Sequence, residues 1–339
     1  MKTFSMIISL GYLGLGACYS PGYKDCEITC ASGACPSGLS CASGVCRSPG
    51  QSGACNVTPG DGPDSDGDPT PDGPPRQWRI IGEVALPFPA GVSPIADDPT
   101  LTSDLLEMYV VAGGKIWHTL RSTPASPWLT AMPEMALSSN YQEDAPHITG
   151  DGKTMYFASN RLLTPAGAPG SFDVWVAERD AAGTWAMPVL DRDLSPATTQ
   201  DSGPGISDDR LTVVLDSDRA GQSNRDLFVS VRGVVGAAWA PPQAMANVNT
   251  AADEVSPVIS ADRRTLYFQV TDPATREGDL WMATRPDGTQ PFGTPSPITK
   301  LNAPDFSDED PWVSPDGNTM FFASNRGGNG MKIWEAHLE

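Results

Sequence analysis

The chain has 339 residues, 39% of them apolar, and a formal net charge of −19. So acidic a chain lacks the basic footprint that nucleic-acid binding requires, and its length allows one all-β domain with smaller appendages. No apolar run in it reaches the roughly 18 residues that a membrane-crossing helix needs.

Residues 1–17 read as a targeting segment. Lys2 supplies a positive start, and Phe4 to Leu15 form a short apolar core. The segment ends Leu15-Gly16-Ala17-Cys18, which resembles a bacterial lipobox. The resemblance implies cleavage before Cys18, a diacylglycerol on its thiol, and a lipid anchor. An ordinary secretory signal followed by a disulfide cysteine is the other reading. Tyr19, not aspartate, follows Cys18, and likeness to enterobacterial lipoproteins then implies the outer membrane.

All seven cysteines precede residue 56. Setting Cys18 aside leaves Cys26, Cys30, Cys35, Cys41, Cys46 and Cys55. In an exported segment these predict three disulfides over residues 18–55, with about fifteen connectivities open. The segment has no histidine and no Cys-x-x-Cys pair, which argues against zinc. It is too short to build a core, so disulfides have to hold it. Residues 56–76 are rich in Pro, Gly and Asp and read as an extended acidic tether. Asp64-Ser-Asp66-Gly-Asp68 hints at a calcium loop, but Pro69 and Pro75 stand where an EF-hand needs glycine and glutamate.

From residue 77 onward one module recurs. It is centred on Pro99, Pro146, Pro204, Pro257 and Pro311. Five residues after each proline stands an aspartate: Asp104, Asp151, Asp209, Asp262, Asp316. Ten residues after each stands Tyr109, Tyr156, Val214, Tyr267 or Phe321. An aromatic follows in a third strand pattern (Trp117, Trp175, Phe228, Trp281, Trp334), and a second aromatic follows the first four of these (Trp128, Trp185, Trp239, Phe292). A period of roughly fifty residues with four short strands per unit predicts a propeller. The last unit stops at Glu339 without its fourth strand, while Gln77 to Val84 is a strand pattern with no unit of its own. The expectation is therefore an all-β, five-bladed β-propeller over residues 77–339. The N-terminal strand closes its last blade and hides two edges.

The repeats resemble the PD40 repeats of the TolB-like, WD40-like propellers. The resemblance rests on Ser314-Pro-Asp-Gly317, Ala158-Ser-Asn-Arg161, Ala323-Ser-Asn-Arg326, Asp173-Val-Trp175 and Asp279-Leu-Trp281. TolB carries an extra N-terminal α/β domain and six blades, so the resemblance implies the fold and not TolB's partners.

Three residues before four of the prolines stand Glu143, Asp201, Glu254 and Asp308; the first unit has Ala96 there. The strand around the proline is the innermost of its blade, so these four acids are the candidate binding residues at a channel mouth. Gathered carboxylates favour a cation such as Ca²⁺, or a basic ligand. The alternative is that each acid caps its own turn. Arg161 with Asp173, and Arg219 with Asp226, are expected to brace the loops between second and third strands. No cofactor is otherwise implied. The chain has no Gly-x-Ser-x-Gly, His-Glu-x-x-His or phosphate loop. The expected function is that of a lipid-anchored envelope protein whose propeller binds an envelope protein or glycan without catalysis. The alternative is a glycan-active enzyme, which needs two carboxyls about 5–5.5 or 6.5–9.5 Å apart.

Overall fold

The computed structural model describes residues 76–339, except 163–169, 197–198, 220 and 222–223, together with two short strands near the N-terminus. These are β1 (Ser40–Ala42) and β2 (Val45–Arg47), an antiparallel pair with Cys41 opposite Cys46. Residues 1–17, Cys18, Cys26, Cys30, Cys35, Cys55 and the linker to residue 75 lie outside the described residues. The chain divides into two compact units, Met1–Pro74 and Pro75–Glu339. No helix of the described residues is long and apolar enough to cross a membrane.

The second unit contains five four-stranded antiparallel sheets. Its first strand is β3 (Trp78–Glu83). Blade 1 holds β4 (Asp97–Leu101), β5 (Glu107–Ala112), β6 (Lys115–Leu120) and β7 (Met132–Pro133). Blade 2 holds β8 (Glu143–Ile148), β9 (Thr154–Ser159), β10 (Asp173–Glu178) and β11 (Val189–Leu190). Blade 3 holds β12 (Asp201–Ile206), β13 (Thr212–Ser217), β14 (Asp226–Val231) and β15 (Gln243–Ala244). Blade 4 holds β16 (Asp253–Ile259), β17 (Thr265–Thr271), β18 (Gly278–Thr284) and β19 (Ser296–Pro297). Blade 5 holds β20 (Asp308–Val313), β21 (Thr319–Ser324) and β22 (Lys332–Leu338), and β3 supplies its fourth strand.

β3 closes the ring as the strand count requires. Trp78 stands opposite Leu338 and Glu83 opposite Trp334, and Gln77 and Glu339 exchange backbone hydrogen bonds of 2.7 and 3.0 Å. The apolar core lies in the seams between blades. Each seam interleaves two successive sheets, as where Val258 and Tyr267 meet Met320 and Phe322. Tyr109 and Ile116 likewise meet Met155 and Phe157. Phe157, Phe268, Phe321 and Phe322 are fully buried, each contributing about 1.5–3 kcal/mol on transfer from water.

The repeated aspartates each cap the turn between first and second strands. Asp316 accepts from Ser314 Oγ at 2.6 Å and from Asn318 N–H at 3.0 Å. Asp104, Asp151, Asp209 and Asp262 do the same in their blades. The turn needs a left-handed residue, which is Gly152 or Gly317 in two blades and Leu105, Arg210 or Arg263 in the others. An arginine after the third strand then lies over the second aromatic. Arg121, Arg179, Arg232 and Arg285 sit 4.0–4.4 Å from the centroids of Trp128, Trp185, Trp239 and Phe292. Cation–π contact in a seam fixes these outer aromatics as packing elements.

Candidate functional site

The innermost strands break their own ladder. Proline has no N–H to give, and in every blade the register shifts across it, from Asp97/Thr100 in blade 1 to Glu309/Trp312 in blade 5. The bulge drives the preceding residue into the left-handed region. Asp98, Ala145, Gly203, Ser256 and Asp310 have φ of 50, 44, 55, 49 and 52°. Five such non-standard residues at one repeat position point inward, and strain of this kind concentrates at functional sites. Gly203 also has no room for a side chain, because a Cβ there would lie 2.3 Å from Asp216 Oδ1.

These five residues and their prolines wall a blind well of about 40 Å³ on the channel axis, room for a few water molecules. His147, Val258 and Trp312 line this well and also a second void of about 20 Å³ beneath it, so they form a plug between the two. His147 Nε2 lies 3.1 Å from the Ile206 carbonyl. Burial pushes its pKa down to about 4, so the plug carries no charge at neutral pH.

The well is acidic on one side. Asp98 of blade 1 and Asp310 of blade 5 line it, and the charge of Asp144 of blade 2 acts on both. Burial, then the neighbouring carboxylates, hold the Asp98 and Asp310 carboxyls well above their ordinary range. The Asp144 carboxyl beside Asp98 adds to that rise, as a like charge does. Ser256 Oγ donates to Asp310 at 2.7 Å. Asp97 is pushed up to about 7 by burial, Asp144 and Glu309. The other side is compensated, since Arg225 pairs with buried Asp216.

The four acids expected at the mouth are elsewhere. Glu143, Asp201, Glu254 and Asp308 are each completely buried, and each is sealed by partners near its own blade. Arg161 reaches Glu143 at 3.2 Å and the Leu137 carbonyl at 2.6 Å, while Lys115 adds a second cation at 2.8 Å. Arg219 pairs with Asp201 and Arg326 with Asp308. Glu254 has no arginine and accepts instead from Thr250. These four therefore do not gather, and their calcium reading fails on geometry. Among the described residues, no three His, Cys, Asp or Glu side chains converge in a way that could hold a metal ion. The arginines thus choose a different acid from the one expected. Arg161 takes Glu143 and not Asp173, and Arg219 takes Asp201 and not Asp226. The buried carboxylate at the inner strand gives them the stronger field.

Trp175 and Phe228 are buried; Arg161 lies over Trp175, and Arg326 over Trp334, at 5.0 and 5.3 Å. Sequence reasoning missed Asp98, Asp144 and Asp310. For Asp98 and Asp310 the signal available was the residue before each proline, where Asp, Ala, Gly, Ser and Asp stand: small or left-handed-tolerant side chains that a bulge selects.

No protein-family model matches the sequence, and no curated protein matches it. Solved structures match in fold. The α-L-arabinofuranosidase PaAbf62A from Podospora anserina, solved with cellotriose, has 12% identity and a TM-score of 0.51, covering 78% of this chain and 97% of that one. The endo-arabinase from Bacteroides thetaiotaomicron has 12% identity and a TM-score of 0.48, covering 75% and 97%. TolB from Acinetobacter baumannii has 15% identity and a TM-score of 0.41, covering 72% of this chain and 54% of TolB. At 12% identity the likeness to the arabinofuranosidase is one of architecture alone.

Proposed function

We propose that this is a lipid-anchored bacterial envelope protein, held by Cys18, whose propeller is a non-catalytic scaffold that binds a protein. One observation carries the reading. Among the described residues, the acidic well walled by the inner-strand bulges encloses about 40 Å³, against roughly 300–1,000 Å³ for a pocket that takes a sugar-sized ligand. The anchor and outer-membrane address rest on the lipobox-like Leu15-Gly-Ala-Cys18 and on Tyr19.

The test has two arms. Full-length protein incubated with arabinan, mannan and peptidoglycan should release no sugar. Release that disappears in Asp98→Asn would replace this reading with a glycan-active enzyme. A photo-reactive residue at Asp279, on the side of the loops between second and third strands, should give a discrete protein adduct in intact envelopes. A smear, or no adduct, sinks the scaffold.

A further inference from the structure

The seams between blades repeat, and one of them is built from smaller side chains. Pro133, Leu190, Ala244 and Pro297 hold the same place in their outer strands, each opposite its third-strand aromatic. Four residues later stand Leu137, Leu194, Val248 and Leu301. The outer aromatic of the next blade completes each seam. Leu137 shares a core with Trp185, Leu194 with Trp239 and Leu301 with Trp78. The seam of blades 3 and 4 joins Val248 to Phe292 instead, and so has the smallest residue at every one of these places. Side-chain volume missing from a packed seam leaves space. Here the space is a hollow of about 350 Å³, open at the rim, where Ala244, Ala246, Gln290 and Pro291 are exposed.

That volume lies within the roughly 300–1,000 Å³ of small-molecule sites. Its walls are Val229, Met245, Val248, Pro291 and Phe292, and the charged side chain among them is Arg285. Among the described residues no carboxylate lines it, so it offers no acid–base pair for a glycosidic bond. Arg285 lies 4.2 Å from the Phe292 centroid and donates to the main-chain carbonyls of Arg263 at 2.6 Å and Gln290 at 3.1 Å. Arg263 pairs with Asp209 at 3.3 Å, whereas Asp287 and Asp262 act on Arg285 only from beyond pairing distance. Burial, then Arg263, hold that guanidinium below its ordinary range, so an anion arriving there meets a charge without its own partner. A thioether, a phenyl ring and a guanidinium together favour an aromatic body over an alkyl one. We propose that this hollow is a binding site for a small aromatic carboxylate, its ring among Met245, Val248 and Phe292 and its carboxylate on Arg285. The site adds a small ligand to the scaffold and does not depend on the protein partner. A hollow of about 380 Å³ at the seam of blades 5 and 1 is lined by Glu83 as well as Lys332, and the glutamate opposes an anion there.

The test is calorimetric titration of the full chain with indoleacetate, indole and tryptamine. Indoleacetate should bind at a single site, about tenfold tighter than neutral indole, and cationic tryptamine should bind more weakly than either. Arg285→Gln should bring indoleacetate down to the affinity of indole while leaving indole within about threefold, a split that a merely structural arginine would not produce. Val248→Leu/Phe292→Trp gives this seam the residues of its neighbours; it should keep or raise Tm and lose both ligands. Should that variant fail to fold, Ala246→Leu fills the hollow from its exposed wall and should weaken both ligands about tenfold. Ala85→Leu, in the hollow between blades 5 and 1, should leave the affinities within about twofold. Absence of indoleacetate binding, equal affinity for the acid and indole, or a preference that survives Arg285→Gln would overturn the proposal. So would undiminished binding in a folded variant with the seam filled, or loss of binding in Ala85→Leu, which would move the site to the closing seam.

Discussion

Asp308 and Asp310 stand two positions apart in one strand, yet they live in opposite electrostatic worlds. In a regular strand residues i and i+2 share a face. The bulge between Glu309 and Trp312 cancels that rule and turns Asp310 into the well while Asp308 stays in the blade. Asp308 is met by Arg326, and Asp310 is met by a serine hydroxyl and by other acids. The comparison teaches that burial alone does not sort a structural acid from a surface-building one; the supply of a cation does. It can be broken most sharply at the arginine. Arg326→Ala should cost about 3–5 kcal/mol, because it leaves the buried Asp308 charge without its partner. The same loss is expected in Arg219→Ala, read from urea midpoints. A cost below about 1 kcal/mol would mean that the pair contributes little to holding the blade.

The acids of the well respond to pH in the opposite sense. Asp97, Asp98, Asp144 and Asp310 have folded pKa values above their ordinary ones. A group raised in this way stabilises the fold fully below its unfolded pKa, near 4, and that stability is lost as pH rises through the folded value. For Asp97 that value is about 7. Stability should therefore decline between about pH 4 and 7, by roughly 1–2 kcal/mol after allowance for solvent near the mouth. Asp97→Asn should flatten the decline. The turn-capping aspartates work the other way. Asp151, Asp209, Asp262 and Asp316 are held below their ordinary range, where side-chain and backbone hydrogen bonds outweigh burial, so their contribution vanishes as pH falls below about 4. A milder change is Asp310→Asn, which removes repulsion and keeps the contact with Ser256. It should raise Tm by about 2–4 °C at pH 8, and leave it unchanged at pH 4.

The ring was legible in the sequence because its signals are local and repeated. A capped turn needs Ser or Thr, then Asp two residues on, then a left-handed position, and all five copies carry it. The closing strand was legible as arithmetic, since one unit lacked a strand and Trp78 belonged to none. The well was not legible, because it is made by a bulge. A one-residue insertion in a ladder leaves no change of period, and it moves inward the residue one before proline and not the residue three before. The arginine partners were missed for a related reason. Arg161 lies much closer in sequence to Asp173 than to Glu143, but the side-by-side pairing of β8 and β9 brings Glu143 opposite Ser159, two residues from the arginine.

Blade 4 gives the finest cut of the comparison, since it holds a buried acid without the cation. Blades 2, 3 and 5 carry a serine that accepts from the arginine Nε, at 3.0, 2.9 and 2.9 Å. Blade 4 has Val270 and Asp272 at those places. Glu254 is accordingly raised above its ordinary range by burial, with only Thr250 to oppose it. Val270→Ser/Asp272→Arg should rebuild the missing pair. A hydrogen bond to a charged group is worth about 1.5–3 kcal/mol, but Asp272 now accepts from the Ala274 and Thr275 N–H groups, and losing that cap costs about 1 kcal/mol. The net gain is therefore about 1 kcal/mol, a rise of about 2–4 °C in Tm. The gain should disappear when Glu254→Gln is added, because the arginine then has no charge to meet. Persistence of the gain in the triple variant would show that the arginine acts through Phe268 and Trp281 packing alone, and that the acid is kept in this blade for some other reason.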